Sequence, residues 1–267
     1  MSGVMDCRIC AHSMEPFARA TLLRRYDIAY HRCTYCGFIR TEEPNWLAEA
    51  YASAITGSDV GLVRRNHQLA AVARVVISAF FRRSGRFLDY AGGYGLIVRL
   101  MRDSGYDFSW YDRYCENIFA RGFEASPPGS EPLEMLTAFE VFEHLADPVA
   151  ELERMLACSR NVLFTTQLLP EPAPQPDGWW YYGLEHGQHI AFYTRRSLAL
   201  LAERAGLNLY TNGASMHLFT EKRLFQPLFF ALARHKTARF LAPLVGRTSL
   251  IPADYTHATG SSLARRV

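Results

Sequence analysis

Four cysteines near the start of the chain have the spacing of metal ligands. They form two Cys-x-x-Cys pairs, made by Cys7, Cys10, Cys33 and Cys36. Two such turns can place four thiolates tetrahedrally around one zinc ion, each at about 2.3 Å. Gly37 follows the second pair and supplies the backbone freedom that a tight turn commonly needs. Because protein atoms would fill all four positions, we expect a structural zinc site in a small zinc-ribbon-like module, with the catalytic chemistry elsewhere.

The alternatives to zinc are a thioredoxin-like redox pair or two unrelated pairs. A redox pair needs one motif between a strand and a helix, whereas this region has two motifs and is rich in loops. The first residues show no basic segment followed by an apolar one, which predicts that there is no secretory signal. We therefore expect a cytoplasmic, reducing environment, in which paired cysteines are more often metal ligands than disulfides. Cys115 and Cys158 lie far from these pairs in the sequence.

A glycine-rich stretch, "FLDYAGGYG", reads as a strand followed by a tight turn into a helix. Its strand contains Asp89, a hydrogen-bond acceptor close to the turn. The glycines that let the backbone approach a ligand are Gly92, Gly93 and Gly95. The next strand-like segment, "DFSWYDRY", contains Asp112, placed where a carboxylate can accept both hydroxyls of a ribose. A glycine turn alone is a weak signal, but the second acid favours a cofactor site; the structural alternative for Asp112 is a helix N-cap.

The composition is that of a globular protein. Of the 267 residues, 49% are hydrophobic and 21% are charged, and the formal net charge is +3. This length fits one full domain with a small appendage. So small a net charge does not indicate a nucleic-acid partner, and no apolar run reaches the ~18 residues of a membrane span.

The segments that must position these residues alternate between strand-like and helix-like patterns. After helices in "EEPNWLAEAYASAITG" and "NHQLAAVARVVISAFFRRSG", the second ended by Gly85, come "GRFLDY", "LIVRLMRDSG", "DFSWYD" and "NIFARGF". The alternation continues with "LEMLTAFEV", "DPVAELERMLAC", "NVLFTTQLL" and "RRSLALLAERAG", and closes with a hairpin of "LNLYTNG" and "SMHLFTEK". This order predicts an α/β, Rossmann-like, mainly parallel sheet with helices on both faces and a C-terminal antiparallel hairpin.

Three segments, "FLDYAGGYG", "WYD" and "TAFEVFEHLADP", together resemble class I S-adenosylmethionine-dependent methyltransferases. The resemblance covers about 66–222, and "EVFEHL" is a particularly specific feature. It implies S-adenosylmethionine as the cofactor, with the glycine turn from Ala91 onward against the methionine portion and Asp112 on the ribose. Glu140 would lie beside the methionine portion, with His144 nearby. Ala91 departs from the family, which usually has a glycine there, and "EASPPGSEP" shows no acid–hydrophobe pair for the adenine.

The chain also resembles methyltransferases of sugar and polysaccharide pathways that carry an N-terminal four-cysteine zinc module, a group that includes deoxysugar C-methyltransferases. This resemblance implies O- or C-methylation of a small molecule such as a nucleotide sugar or glycan precursor. One alternative is a Rossmann-type oxidoreductase, although "AGGYG" lacks the G-x-G-x-x-G spacing and "EVFEHL" has no role there. Another is a non-enzymatic zinc-module adaptor, which would not need these acids and glycines in this order.

The stretch "WWYYGLEHGQHIAFYTRRSL" follows the proline-rich loop "PEPAPQPDG" and is dense in aromatic side chains and histidines. Its first residues, which can stack on a sugar face or instead close the core, are Trp179, Trp180, Tyr181 and Tyr182. His189 matches a base proposed for sugar C-methylating relatives, so we predict that it is a general base or substrate orienter. Glu185 and His186 are second candidates, because Gln188 replaces the relatives' preceding glutamate.

Two structural alternatives remain for these histidines. His189 can instead cap "FYTRRSL" or bond a backbone carbonyl beneath the loop. A zinc site at His186 and His189 is a further alternative, for which the sequence shows no evident third ligand.

We predict three parts of the chain: a zinc-binding module at 1–45, the methyltransferase domain at 46–222 and a C-terminal helical extension at 223–267. The extension is apolar with interspersed basic residues. It can pack on the sheet or on a second subunit, and its basic face leaves open a peripheral contact with a membrane surface. The oligomeric state is left open.

Overall fold

The computed structural model of the protein describes residues 5–51, 59–126 and 132–262. Within them, an N-terminal antiparallel sheet is built from Met5–Asp6 (β1), Ser13–Leu22 (β2), Tyr26–Cys33 (β3), Ile39–Thr41 (β4) and, from far along the chain, Ala191–Phe192 (β9). The strands pair in the order β1-β2-β3-β4-β9. The long hairpin of β2 and β3 carries the segment between the two cysteine pairs.

The second sheet is mixed and mostly parallel. Its strands in the described part of the chain are Arg86–Tyr90 (β5), Asp107–Tyr111 (β6), Met135–Ala138 (β7), Asn161–Thr165 (β8), Asn208–Thr211 (β10) and Met216–Thr220 (β11). They pair in the order β10-β11-β8-β7-β5-β6. The four strands from β6 to β8 are parallel, whereas β11 is antiparallel to both β8 and β10. The predicted α/β class is confirmed, and the closing hairpin has shorter strands than the sequence predicted.

Helices cover both faces of this sheet. The α-helices in the described ranges are Leu47–Ala50 (α1), Leu62–Phe80 (α2), Leu96–Asp103 (α3), Pro148–Leu156 (α4), Arg195–Arg204 (α5), Gln226–Leu232 (α6), His235–Leu241 (α7) and Ile251–Thr259 (α8). One hydrophobic core unites α2, α3, α6 and α7 with the sheet, and a second unites α4 and α5 with the opposite face. Local signals fix two helix starts: Asp147 caps α4 ahead of Pro148, and Thr194 forms a capping box with Ser197 at α5.

Some predicted elements differ from the structure. The segment "NIFARGF" is not a helix, because the Asn117 side chain accepts a hydrogen bond from the Ala120 amide and donates to the Ala120 carbonyl, which holds a turn. Helix α2 ends at Phe80, five residues before the predicted stop at Gly85. The predicted connecting helix after "EEP" is a single described turn, α1, and its continuation at 52–58 lies outside the described residues.

The N-terminal sheet is continuous with the later chain. Strand β4 pairs with β9, and the Thr41 amide donates to the Ile190 carbonyl at 3.0 Å. The Trp46 indole nitrogen donates to the Gly187 carbonyl at 2.8 Å. The predicted domain boundaries stay a prediction, but the module and the segment that carries His189 are held together by backbone hydrogen bonds.

The C-terminal extension packs on the protein. Phe229, Ala233 and Ala238 are buried in the core beside α2. Asp254 of α8 forms a two-pronged ion pair with Arg102 of α3, with nitrogen–oxygen distances of 2.7 and 2.9 Å. Within the described ranges, no helix has the length and apolarity needed to span a membrane. Of the predicted alternatives, the extension therefore packs on its own chain. Peripheral membrane contact stays a prediction.

Candidate active site

The predicted cofactor loop lies where β5, β6 and β7 end, because these parallel strands bring their carboxyl ends to one edge of the sheet. The backbone is left-handed at Ala91, Gly93 and Gly95, with φ angles of 55°, 54° and 85°. Ala91 adopts this conformation at a cost of roughly 1–2 kcal/mol, which glycine would avoid. The loop therefore needs the backbone shape that the glycines allow, and Ala91 tolerates it under strain.

Close packing explains Gly92. A Cβ atom at this position would lie 2.8 Å from Asp89 Oδ2 and 2.9 Å from Trp110 Cδ1. The Trp110 indole nitrogen also donates to the Gly93 carbonyl at 2.8 Å. The end of β6 thus holds the loop against the end of β5, and any side chain at Gly92 would push them apart.

Asp89 is a buried acid directly under this loop. Its Oδ1 accepts a hydrogen bond from the Thr137 hydroxyl at 2.6 Å. Burial raises the pKa of Asp89 to about 7; the charge of Asp112 adds to the rise, and the Thr137 hydrogen bond opposes it. The carboxylate can therefore change its charge near neutral pH.

Asp112 closes the loop through backbone hydrogen bonds. Its Oδ2 accepts from the Gly93 amide at 2.9 Å, and its Oδ1 accepts from the amides of Tyr114 and Cys115 at 2.7 and 2.9 Å. Asp112 is not a helix N-cap, because no helix follows within 113–123; its side chain instead closes a turn. A carboxylate has about four lone-pair positions, so one remains for a ligand hydroxyl unless a backbone bond is released.

Glu140 follows β7 in a left-handed conformation, with a φ of 56°. Its amide and its Oε1 bond the Thr165 hydroxyl at 2.7 and 2.8 Å, which ties it to the end of β8. Arg65 of α2 approaches its Oε2 at 3.6 Å. Glu140 therefore lies at the same sheet edge as the glycine loop, with a cation beside it, and its position beside the methionine portion stays a prediction.

Glu143 is a buried acid that was not among the predicted site residues, although it belongs to "EVFEHL". Its side chain is 0% exposed, and neither carboxylate oxygen has a hydrogen-bond partner among the residues that the structure describes. Burial, reinforced by the charge of Glu140, raises the pKa of Glu143 to about 8. The sequence signal that could have identified Glu143 is its place directly before the predicted His144.

His144 and His189 come together beside Glu143. Their ring centroids are 5.0 Å apart, and one ligand atom from each of the three residues lies within 4.8 Å of the others. His144 Nδ1 lies 3.1 Å from the Gln188 carbonyl and 2.8 Å from the Tyr51 hydroxyl. Burial lowers the pKa of His144 to about 4. Both the predicted cofactor-side histidine and the predicted base therefore share one cluster.

His189 is anchored through one ring nitrogen. Its Nδ1 lies 2.6 Å from the Tyr181 carbonyl, as the structural alternative expected. Burial, with the neighbouring His144, holds the pKa of His189 well below its usual value. The ring is therefore neutral near pH 7, and Nε2 is left as a hydrogen-bond acceptor.

The second candidates lie at the edge of this cluster. His186 packs on Gly183, where a Cβ atom would meet its ring, and its Nδ1 accepts from the Gln188 amide at 3.1 Å. Its ring centroid is 4.8 Å from that of His189. Glu185 is exposed. Three histidines thus meet, and Glu185 remains in contact with solvent.

The four predicted substrate-binding aromatics have different surroundings. Tyr181 and Tyr182 are 2% and 0% exposed and belong to a core cluster with Phe192. Trp179 packs partly against the same cluster, whereas Trp180 is 74% exposed and touches Tyr181 edge-on. Trp180 is therefore the member of the four whose ring is open to a ligand.

The four N-terminal cysteines form one cluster, free of disulfides. The Sγ atoms of Cys7 and Cys36 are 3.7 Å apart, and those of Cys10 and Cys33 are 3.4 Å apart. Ligands in a zinc tetrahedron with bonds of about 2.3 Å lie about 3.8 Å apart. The donor set and its spacing therefore fit a zinc ion.

The cysteine thiols cannot all ionise without a cation. Hydrogen bonding from Cys36 lowers the pKa of Cys7 to about 5, while the same contact raises the pKa of Cys36 above the usual range. Burial raises the pKa of Cys10 to about 11. The cluster is tied to α5, because the Thr194 hydroxyl donates to the Cys36 carbonyl at 2.6 Å.

Comparison with known proteins gives one family match. The family described as "Methyltransferase domain" matches residues 63–212, more than half of the chain. No curated protein matches the sequence.

Several solved structures are similar at low identity. A methyltransferase of calicheamicin biosynthesis, solved with S-adenosylhomocysteine, is 15% identical with a TM-score of 0.45, covering 66% of this chain and 61% of its own. A magnesium protoporphyrin IX methyltransferase from Synechocystis PCC 6803 is 12% identical with a TM-score of 0.39, covering 66% and 90%. Human N-acetylserotonin methyltransferase is 13% identical with a TM-score of 0.41, covering 67% and 66%. The chain spans about three fifths of the first of these, and the likenesses are too weak to transfer a function.

Proposed function

The chain belongs to the methyltransferase-domain family, and from that premise we propose that it transfers a methyl group from S-adenosylmethionine to a sugar or glycan precursor. The family match shows a methyltransferase domain and supports the predicted enzyme class, an S-adenosylmethionine-dependent methyltransferase. One observation carries the cofactor proposal: Asp112 and the glycine loop meet at the carboxyl edge of β5 and β6, joined by the Gly93–Asp112 hydrogen bond. Ligands bind at this edge in open α/β sheets.

The cofactor residues keep their predicted roles in this proposal. When bound, S-adenosylmethionine supplies a methyl group activated by a sulfonium. Gly92 and Gly93 let the backbone approach the ligand, and Asp112 accepts a ribose hydroxyl with its remaining lone pair. Asp89 and Glu140 place negative charge at the sheet edge, which favours a cationic cofactor. The adenine contacts stay unassigned, because part of "EASPPGSEP", residues 127–131, lies outside the described residues.

The acceptor side consists of His189 and its neighbours. His189 is neutral and fixed by Tyr181, so Nε2 can accept a hydrogen bond from an acceptor hydroxyl and orient it. Trp180 offers an exposed ring face for a sugar. With Gln188 where the C-methylating relatives have glutamate, these residues suit O-methylation at least as well as C-methylation.

Zinc in the four-cysteine cluster is proposed as a structural ion. Cys7, Cys10, Cys33 and Cys36 would hold it, and all four coordination positions would be filled. The site would stabilise the N-terminal sheet, which pairs with β9 just after His189. A reducing, cytoplasmic environment would keep these thiols available.

The test is methyl transfer from radiolabelled S-adenosylmethionine to separate pools of nucleotide sugars and free sugars. Label incorporated into a sugar fraction supports the proposal, and label confined to other small molecules contradicts the acceptor class. Tight binding of NADH without binding of S-adenosylmethionine would favour the oxidoreductase instead. With an acceptor in hand, His189→Gln should lower the single-turnover rate by about 10²-fold or more; a rate within about threefold of wild type would remove His189 from catalysis.

A further inference from the structure

Three titratable side chains come together between the turn that follows β7 and the segment that precedes β9. We propose that Glu143, His144 and His189 bind a divalent first-row transition-metal ion, distinct from the zinc assigned to the cysteines. The three residues offer one carboxylate oxygen and two imidazole nitrogens, all within 4.8 Å of one another. Two histidines and one carboxylate are a donor set that such ions bind in proteins.

The Glu143 carboxylate is the first observation that points to a cation. It is fully buried, and neither oxygen has a hydrogen-bond partner of regular geometry among the described residues, although the nearby Tyr181 hydroxyl and the Glu143 amide partly oppose the rise of its pKa. Burying a carboxylate without hydrogen bonds or a counter-charge costs several kcal/mol. One carboxylate oxygen lies within 4.8 Å of a nitrogen of each imidazole, so a cation bound among the three side chains would remove this cost.

The hydrogen bonds of the two histidines bear on which ring nitrogen is available. His189 Nδ1 is 2.6 Å from the Tyr181 carbonyl, and His144 Nδ1 is 3.1 Å from the Gln188 carbonyl and 2.8 Å from the Tyr51 hydroxyl. A carbonyl oxygen can only accept, so Nδ1 of His189 carries the proton and its Nε2 presents a lone pair. The Gln188 carbonyl favours the same tautomer at His144, whereas the Tyr51 hydroxyl can either accept from its Nδ1 or donate to it.

These same hydrogen bonds are the support that metal-binding histidines usually have. A histidine ligand commonly donates its other ring N–H to a backbone carbonyl, which fixes the ring and its tautomer. The Ile190 amide also donates to the Glu143 carbonyl at 2.8 Å, so the two segments that carry the ligands are joined. Ligands 2.0–2.2 Å from an ion lie about 3–3.5 Å apart, so binding would draw the three side chains inward.

The donor set selects the kind of ion. Imidazole nitrogens suit zinc, iron, cobalt and nickel, whereas magnesium and calcium prefer oxygen ligands throughout. Three protein ligands leave coordination positions open, unlike the closed four-cysteine site. If the proposed function holds, on which this step rests, these positions would hold an oxygen of the acceptor, so His189 would orient the acceptor through the ion instead of through a direct hydrogen bond to Nε2. Such a site favours acceptors with two adjacent oxygens.

The rival occupant is a proton shared between Glu143 and a histidine, with no metal affinity. Cobalt(II) distinguishes the two, because its visible absorption separates thiolate from nitrogen and oxygen ligands. The experiment titrates Co²⁺ into protein that carries zinc at its cysteines. We expect one equivalent to bind with weak visible bands and without thiolate charge-transfer absorption.

Glu143→Gln removes the charge and keeps the shape, and its amide can donate to the facing imidazoles, so it should fold. We expect it to weaken Co²⁺ binding by more than about 100-fold. The matched control is Glu153→Gln, an exposed residue on α4, which should bind as wild type does. His144→Gln serves as a second variant if Glu143→Gln unfolds, and should weaken binding similarly.

Three results would overturn the site: no second equivalent of Co²⁺ up to about 1 mM, affinity unchanged in both variants, or Mg²⁺ competing as well as Co²⁺. Metal binding is read without any turnover. Loss of Co²⁺ binding with intact S-adenosylmethionine binding would therefore refute this site alone and leave the proposed function standing.

Discussion

Asp89 is the residue whose charge is most open to change at the cofactor edge. Its carboxyl group is 3% exposed and bonded to Thr137, and burial raises its pKa to about 7. An acid with a raised pKa is neutral below that value and gains its charge as the pH increases through it. S-adenosylmethionine carries a positive sulfonium, so the charged form of Asp89 should bind it better.

We predict that affinity for S-adenosylmethionine increases as the pH rises through about 7 and is level above about 8. Below the pKa the loss should be at most about tenfold per pH unit, the change in the ionised fraction. Calorimetric titration at several pH values measures it. In Asp89→Asn this dependence should vanish, and a flat profile in the wild type would show that Asp89 does not contribute.

The residues of the candidate site that depend on local motifs were predictable from the sequence. Gly92, Asp112 and Glu140 come within two residues of strand ends, so their common edge follows from parallel pairing. The buried, unpartnered state of Glu143 was not predictable, because it depends on the fold of 188–190 against a turn more than 40 residues earlier. The same applies to Tyr181 and Tyr182, whose burial depends on the N-terminal sheet.

At the scale of elements, the pairing of β4 with β9 links the cysteine cluster to the candidate catalytic segment. Ile39 is opposite Phe192, and the Thr41 amide bonds the Ile190 carbonyl one residue after His189. A change at the cysteines should therefore reach His189 through the backbone.

We predict that Cys33→Ser increases amide hydrogen exchange in 187–193 by at least about tenfold. In the variant the cysteine cluster is already disrupted, so local opening of this segment costs less free energy. Exchange in the distant hairpin of β10 and β11 should stay the same. Cys158→Ser, outside the cluster, is the matched control. Unchanged protection of 187–193 in Cys33→Ser would separate the cluster from the catalytic segment.

Helix starts were predictable where a capping residue stands directly before a segment with helical apolar spacing. Asp147 with Pro148 and Thr194 with Ser197 mark two helix starts that the pattern predicted. "NIFARGF" misled because its apolar spacing is helical, while the Asn117 side chain competes for the backbone. The pairing of β9 with β4 could not be predicted. Strand β9 has only two residues, shows no pattern of its own and follows β4 by about 150 positions.

At the scale of the whole molecule, the C-terminal extension is joined to helix α3 by a buried ion pair. The Arg102 and Asp254 side chains are 8% and 6% exposed, and Arg99 also bonds Asp254 at 2.6 Å. Although burial opposes it, these guanidiniums hold the pKa of Asp254 below its usual value. A lowered carboxyl pKa contributes stability above the usual value near 4, and this is lost as the pH falls through the lowered value.

We predict that Asp254→Asn lowers the free energy of unfolding by about 3 kcal/mol at neutral pH, because Arg99 and Arg102 both lose a buried counter-charge and Arg102 keeps only the half-exposed Asp107. Urea denaturation measures the difference, which should shrink as the pH falls below about 4. Glu116→Gln, which removes the exposed partner of Arg121, should cost less than about 1 kcal/mol. Equal losses in the two variants would contradict the role given to the buried pair.

The central claim is that S-adenosylmethionine binds at the carboxyl edge of β5 and β6, and calorimetric titration of wild type and Asp112→Ala tests it most directly. Losing a charged acceptor costs roughly 1.5–3 kcal/mol, so the variant should bind about 10- to 150-fold more weakly. Asp27→Ala, an exposed acid in the N-terminal sheet, should bind as wild type does. Unchanged affinity in a folded Asp112→Ala protein, or no binding of S-adenosylmethionine by the wild type, would contradict the account.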